Sequence, residues 1–206
     1  MTGLPLRVVL ASRNPHKVHE IGVLLGDLAL DIVGIDQVAP GVELREDEPT
    51  FEGNALGKAR QAARATGLAS LADDSGLEVD ALGGAPGVYS ARYAGEPCDD
   101  GANNAKLLRE MVGIKGRRTA RYRCVAAYVD PAAGLELALP GSCEGEILEA
   151  PRGQGGFGYD PLFLVPRLGK SMAEIDLATK NQLSHRAAAF KALAETLRAH
   201  GYSRGE

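Results

Sequence analysis

The chain has 206 residues, 45% hydrophobic and 24% charged, which fits one large globular domain able to bury a core without disulfides or a structural metal. A net charge of −4 and the absence of tryptophan argue against a duplex-DNA binder with a basic face and against a base-stacking platform for single strands. Cys98, Cys124 and Cys143 are odd in number and form no C-x-x-C, which suits a reducing compartment. The first ten residues lack a signal-peptide core and no apolar run reaches membrane-spanning length, so a cytoplasmic protein is expected. The 26 glycines exceed the roughly 7% usual in proteins and point to tight loops that bend sharply or approach a ligand.

In chain order, residues 6–11 read as a buried strand, followed by a helix capped by Ser12 or Asn14, with Pro15 in its first turn and Val18, Ile21 and Leu25 on one face. A second strand is expected near residues 30–35 and an acidic loop over 41–49. Thr50 caps a helix to about Ala65, whose alanines permit close packing. Residues 68–72 read as a strand that ends at Asp73-Asp74-Ser75-Gly76, followed by a short extended piece over 77–82 and a glycine-rich loop over 83–87. A helix is expected over 99–112. Two strands, 119–129 and 135–148, are joined by the turn Pro131-Ala132-Ala133-Gly134. Residues 153–160 form a glycine-rich loop and 161–165 a short strand. Ser184 caps a last helix with Phe190, Leu193 and Leu197 inward and Gly201 as its stop; the tail 202–206 is expected to fray. Alternating strands and helices, interrupted by one hairpin, predict an α/β protein with a mixed sheet. The basic residues Lys115, Arg117, Arg118, Arg121 and Arg123 read as a solvated strand face.

Five polar clusters are candidates for chemistry. Ser12-Arg13-Asn14-Pro15-His16-Lys17 joins a strand to a helix, where free N–H groups and the positive helix end suit phosphate, although no Walker A pattern is present. Asp73-Asp74-Ser75-Gly76 is either a turn or a strand end. If extended, its carboxylates face opposite sides, and one of them can hold Mg²⁺ or orient a water. Glu43, Glu46, Asp47 and Glu48 either complete a metal site or are solvated. Phe157 and Tyr159, in the loop running through Gly158 to Asp160, either flank a flat base or fill core. Lys180, Ser184, His185 and Arg186 crowd the start of the last helix, where cations are disfavoured unless a ligand compensates. His16 and His19 read as surface residues.

The order of these islands carries a resemblance. Ser12-x-Asn14-x-x-Lys17, Thr50-Phe51-Glu52-Gly53-Asn54-Ala55, Ala72-Asp73-Asp74-Ser75-Gly76-Leu77, the stretch from Leu82 to Arg92, Gly156-Phe157-Gly158-Tyr159-Asp160-Pro161 and Leu183-Ser184-His185-Arg186 follow one another along most of the chain. The sequence resembles the inosine/xanthosine triphosphate pyrophosphatase, or Ham1-like, family. The resemblance implies an elongated mixed β-sheet flanked by helices, with two lobes and a substrate cleft between them. It also implies a homodimer, a Mg²⁺ requirement, and hydrolysis of ITP, dITP and XTP to monophosphate and pyrophosphate. Carried over residue by residue, Asp74 matches the catalytic carboxylate and metal ligand, and Ser75 a substrate contact. Ser12, Arg13, Asn14, Pro15, His16 and Lys17 match the triphosphate-binding turn. Phe157, Gly158, Tyr159, Asp160, Lys180, His185 and Arg186 match the base and sugar pocket. Spacing favours Glu46 as a second metal ligand over Asp47 and Glu48. Arg13 stands where many members have glycine.

Two other readings are set aside. The Phe157-Gly158-Tyr159-Asp160 loop and Ser184-His185-Arg186 speak against a Maf-like pyrimidine pyrophosphatase, and the Asp73-Asp74 pair against a non-catalytic nucleotide sensor.

Overall fold

The computed structural model describes residues 5–114, 116 and 118–202, with the side chains of His16, Leu177 and Asn181 outside that description. Lys115 and Arg117 of the basic run and residues 203–206 of the expected frayed tail also lie outside the described residues.

Seven strands form one mixed sheet in the order β2-β1-β3-β4-β5-β6-β7. β1 (Leu6–Leu10) runs parallel to β2 (Leu30–Gly34) and to β3 (Ala69–Val79), whereas β6 (Phe163–Val165) is antiparallel to both β5 (Leu135–Ile147) and β7 (Lys170–Ser171). β4 (Thr119–Asp130) and β5 are sheet neighbours joined by the expected four-residue turn. The helices are α1 (Pro15–Leu24), α2 (Ile35–Val38), α3 (Phe51–Thr66), α4 (Asp100–Glu110), α5 (Leu177–Leu183) and α6 (His185–Ala199). Among the described residues, no helix is long and apolar enough to cross a membrane.

The chain divides into two compact units. The first holds the chain up to Asp74, Cys124–Gly141 and the chain from Arg186 onward; the second holds Ser75–Arg123 and Ser142–His185. β3, β4 and β5 each contribute residues to both.

In the first unit the two-residue period of a strand sorts side chains onto two faces. Val8, Leu10, Leu71, Cys124, Ala126 and Tyr128 pack with Ile21 of α1, with Leu25 just after it, and with Phe190, Leu193 and Leu197 of α6. Val9, Ala72, Val125, Ala127 and Val129 face Ala55, Ala59, Ala62 and Ala63 of α3 instead. The small α3 side chains let that helix lie close to the sheet. Thr50 caps α3 by accepting a hydrogen bond from the Gly53 amide, and Gly67 ends it in the left-handed conformation at φ +71°. The second unit has its own core, in which Leu77, Val79, Leu107, Tyr122, Ile147, Leu162 and Phe163 meet.

Three expectations change. Asp73-Asp74-Ser75-Gly76 is neither a turn nor a strand terminus, because β3 continues through it to Val79. The last helix is preceded by a separate one, α5, capped by Asp176, with extended Ser184 between the two. The basic run is not simply solvated: Arg118 donates to the carbonyls of Met111, Ile147 and Leu148, and Arg121 pairs with Asp80 and Glu144.

Candidate active site

The first group of functional side chains belongs to the first unit and centres on β3. Because the strand continues through the Asp-Asp pair, the two carboxylates point to opposite faces. Asp73 is 3% exposed and accepts from Lys17 Nζ of α1 at 3.0 and 3.2 Å and from Arg186 Nε of α6 at 3.1 Å. Arg186, itself buried, also reaches Glu20 through its Nη1 at 3.4 Å. Burial alone would raise the Asp73 pKa. The charges of Lys17, Arg186 and Lys58 outweigh burial and hold it far below the usual carboxylate range.

Asp74 has the opposite electrostatics. It accepts from Asn54 Nδ2 at 3.0 Å and lies 3.6 Å from Lys58 Nζ. Burial raises its pKa above the ordinary value, against the pull of Lys58 and the Asn54 amide. Lys58 is a buried ammonium that touches Glu46 Oε1 at 2.5 Å and the Asp73 carbonyl at 2.7 Å. Desolvation would lower its pKa, but Asp74, Asp73 and Glu46 together raise it. Glu46 and Asp74 thus converge on one cationic centre. Of the acidic-loop residues, Glu46 is the one that meets Lys58. The Glu48 amide instead donates to Asn54 Oδ1 at 2.9 Å.

The turn entering α1 is partly used by the protein itself. Ser12 Oγ accepts from the Asn14 amide at 3.2 Å, and Pro15 opens the helix. Arg13 turns to Asp36 and to the Val42 carbonyl, so its guanidinium braces the acidic loop. His16, a candidate for the same turn, has its side chain outside the described residues, and His19 is exposed as expected.

The second group belongs to the second unit. Asp160, 3% exposed, accepts from Lys180 Nζ at 2.5 Å, the Phe157 amide at 3.0 Å and the Tyr122 hydroxyl at 3.1 Å. Phe157 is 63% exposed, and Lys180 Nζ lies 4.7 Å from its ring centroid. The Gly158 amide donates to Asp100, and its carbonyl accepts from Asn104 of α4. Gly156 has φ +76°, and a Cβ there would meet Asp160 Oδ2 at 2.1 Å, so the loop closes over Asp160 only with glycine at that position. Buried His185 stacks on Tyr122 at 4.8 Å between centroids and 16° between planes. Ser75 is half-buried on β3.

The structure separates residues that the sequence grouped together. Tyr159 does not flank an open face: its ring fills the second core and its hydroxyl donates to the Ser90 carbonyl. Only Phe157 of the two aromatics offers a face to solvent. Arg186, expected with Lys180 and His185, instead joins Lys17 on Asp73.

Sequence reasoning missed Asn54, Lys58, Glu20, Asp100, Asn104 and Tyr122, and did not give Asp73 a role of its own. A signal existed for two of these. Asn54 and Lys58 are spaced i, i+4 on α3, beside alanines expected to pack inward, so a lysine there had to meet acceptors.

A sequence profile of the Ham1 family matches residues 8–196. The chain is 52% identical to a dITP/XTP pyrophosphatase of Desulforamulus reducens, over 93% of this chain and 96% of that one. Two solved structures share the fold at a TM-score of 0.88. One is a HAM1 protein from Coxiella burnetii, 41% identical, and the other the Staphylococcus aureus Ham1 protein, 40% identical; each alignment covers 94% of this chain and 99% of the other.

Replacing Asp73 tests the cationic pairing. Asp73→Asn leaves half-buried Lys17 without its counter-charge and buried Arg186 with only the longer contact to Glu20, and a loss of about 3–5 kcal/mol is expected for breaking such a buried pair. A carboxylate whose folded pKa is depressed stabilises above the unfolded value and loses that contribution as pH falls through the folded one. The stability gap between wild type and variant, measured by urea unfolding, should therefore be full near neutrality and narrow below about pH 4. A gap that stays constant with pH would mean that Asp73 acts by packing alone.

Proposed function

Because the chain belongs to the Ham1 family, we propose that it hydrolyses non-standard purine nucleoside triphosphates, dITP, ITP and XTP, to the monophosphate and pyrophosphate. The observation that carries the mechanism is the pair of adjacent carboxylates on β3, one locked to cations and the other raised in pKa beside Lys58.

The turn before α1 and Lys17 take the phosphates, where the helix N-terminus and a single ammonium favour anions. Lys17 is held by Asp73 until the triphosphate offers it a second anion. Asp74 orients the attacking water and draws its proton as the water meets the α-phosphorus in line. Pyrophosphate leaves beside Lys17 and Lys58, whose charges offset the charge of the leaving group.

Mg²⁺ fits the carboxylates present. Among the described residues there is no cage of three or more His, Cys, Asp or Glu side chains. Mg²⁺ commonly takes only one or two carboxylates, completing its shell with water and phosphate oxygens. Glu46 and Asp74, which already meet at a cationic centre, would hold it, and bound there it would neutralise phosphate charge.

The second group reads the base. Phe157 offers a stacking face, and Lys180 and His185 are donors able to meet the keto oxygen on purine carbon 6. An amino group at that carbon leaves such donors without an acceptor. The same reading takes the protein to be a cytoplasmic homodimer that binds no nucleic acid. Its three free cysteines suit a reducing compartment.

Two measurements test this. Pyrophosphate release across a panel of ITP, XTP, GTP and ATP should favour ITP over ATP in kcat/KM by orders of magnitude; equal use of the two would sink the base-selective reading. Asp74→Asn should lower kcat by well over tenfold, more than about 1.4 kcal/mol of barrier, while KM changes little. A variant that keeps a tenth or more of wild-type kcat would remove Asp74 as the base.

A further inference from the structure

The loop residue Asp160, the α5 residue Lys180 and the α6 residue His185 come from separate segments, yet one β4 side chain touches two of them. The Tyr122 hydroxyl donates to Asp160 Oδ1 at 3.1 Å, and its ring stacks on His185 at 4.8 Å. The opposite oxygen, Asp160 Oδ2, takes Lys180 Nζ and the Phe157 amide. All three of Tyr122, Asp160 and His185 are at least nine-tenths buried. We propose that Tyr122 is a positioning residue for base recognition: its hydroxyl fixes the Asp160 carboxylate, and through it Lys180 and Phe157, while its ring fixes the plane of His185.

The chemistry supports a fixed role. Burial first, and then the neighbouring Asp160 carboxylate, push the Tyr122 phenol well above its ordinary pKa, so the hydroxyl stays a donor. A carboxylate has two oxygens to orient, and Lys180 and the Phe157 amide both use the same one. Without Tyr122, Oδ1 would be a buried acceptor with one fewer donor, and the carboxylate could rotate about its last bond. The Tyr122 ring is also tilted on Phe163 at 4.5 Å, which ties the arrangement to the core of the second unit. Tyr122 sits on the 12-residue strand β4, and a site carried by a strand is held more exactly than one held by loops alone. Tyr122 touches no reacting atom in this scheme and acts only through Asp160 and His185.

The proposal rests on the reading of the Asp160, Lys180 and His185 group as the base pocket, so the experiment checks that reading first. Wild-type enzyme that does not prefer ITP to ATP would overturn the base-pocket reading and this proposal with it. With that preference present, Tyr122→Phe keeps the ring and removes the hydroxyl. It should raise KM for ITP about tenfold, as expected for loss of about one hydrogen bond, with kcat changed less than about twofold. Product inhibition separates positioning from general damage. Inhibition by inosine monophosphate should weaken about tenfold, and inhibition by pyrophosphate, which carries no base, should stay within about twofold. Equal weakening of both inhibitors, or no change in either, would overturn the proposal. Should Tyr122→Phe fail to fold, a ring-fluorinated tyrosine at position 122 keeps the shape and hydroxyl and changes only donor strength. It should shift inhibition by inosine monophosphate and leave inhibition by pyrophosphate unchanged; a parallel shift in both would overturn the proposal.

Discussion

A carboxylate buried as deeply as Asp73 must be matched by cations, and that requirement organises the chemistry of the first unit. Desolvating one unpaired charge costs several kcal/mol. Here Lys17 from α1 and Arg186 from α6 meet the two Asp73 oxygens, and Lys58 from α3 takes its backbone carbonyl. Three helices far apart in sequence are tied to one strand position. The same pair holds Lys17 on the first turn of α1, so on the proposed reading one side chain would serve both the buried carboxylate and the phosphates.

The alternation of β3 separates the roles of its two acids. Asp73 is locked as an anion, and Asp74, one residue on, faces Asn54 and Lys58 with its pKa pushed up by burial. Neighbouring acids driven in opposite directions are what acid–base chemistry needs, because one must stay charged while the other exchanges a proton. Lys58 prevents the second shift from going too far, since its ammonium favours the ionised form of Asp74. Had β3 ended at Ala72, a turn could have set both carboxylates toward the same solvent and the contrast would vanish.

Local rules were legible in the sequence. Thr50 capping α3, the Pro131 to Gly134 turn and the inward face of α6 follow from short-range chemistry, and each stands where its pattern puts it. Contacts that span the chain were not legible. Arg186 and Asp73 are 113 residues apart, and nothing near Arg186 in sequence distinguishes a base-pocket donor from a counter-ion. Tyr159 shows the same limit: next to an exposed Phe157 it reads as a second stacking face, but the core and the Ser90 carbonyl claim it. Tyr122 was invisible because a tyrosine at an inward position of a strand, here alternating with Arg121 and Arg123, looks like core packing, and only the position of Asp160 gives its hydroxyl a partner.

The central claim is that Asp74 directs a water onto the α-phosphorus, so that the bond to the leaving pyrophosphate breaks. Hydrolysis of ITP in oxygen-18 water, with the products read by mass spectrometry, tests this most directly. The account predicts that one labelled oxygen appears in the monophosphate and none in the pyrophosphate. Label in the pyrophosphate would place the attack on the β-phosphorus and contradict the role given to Asp74.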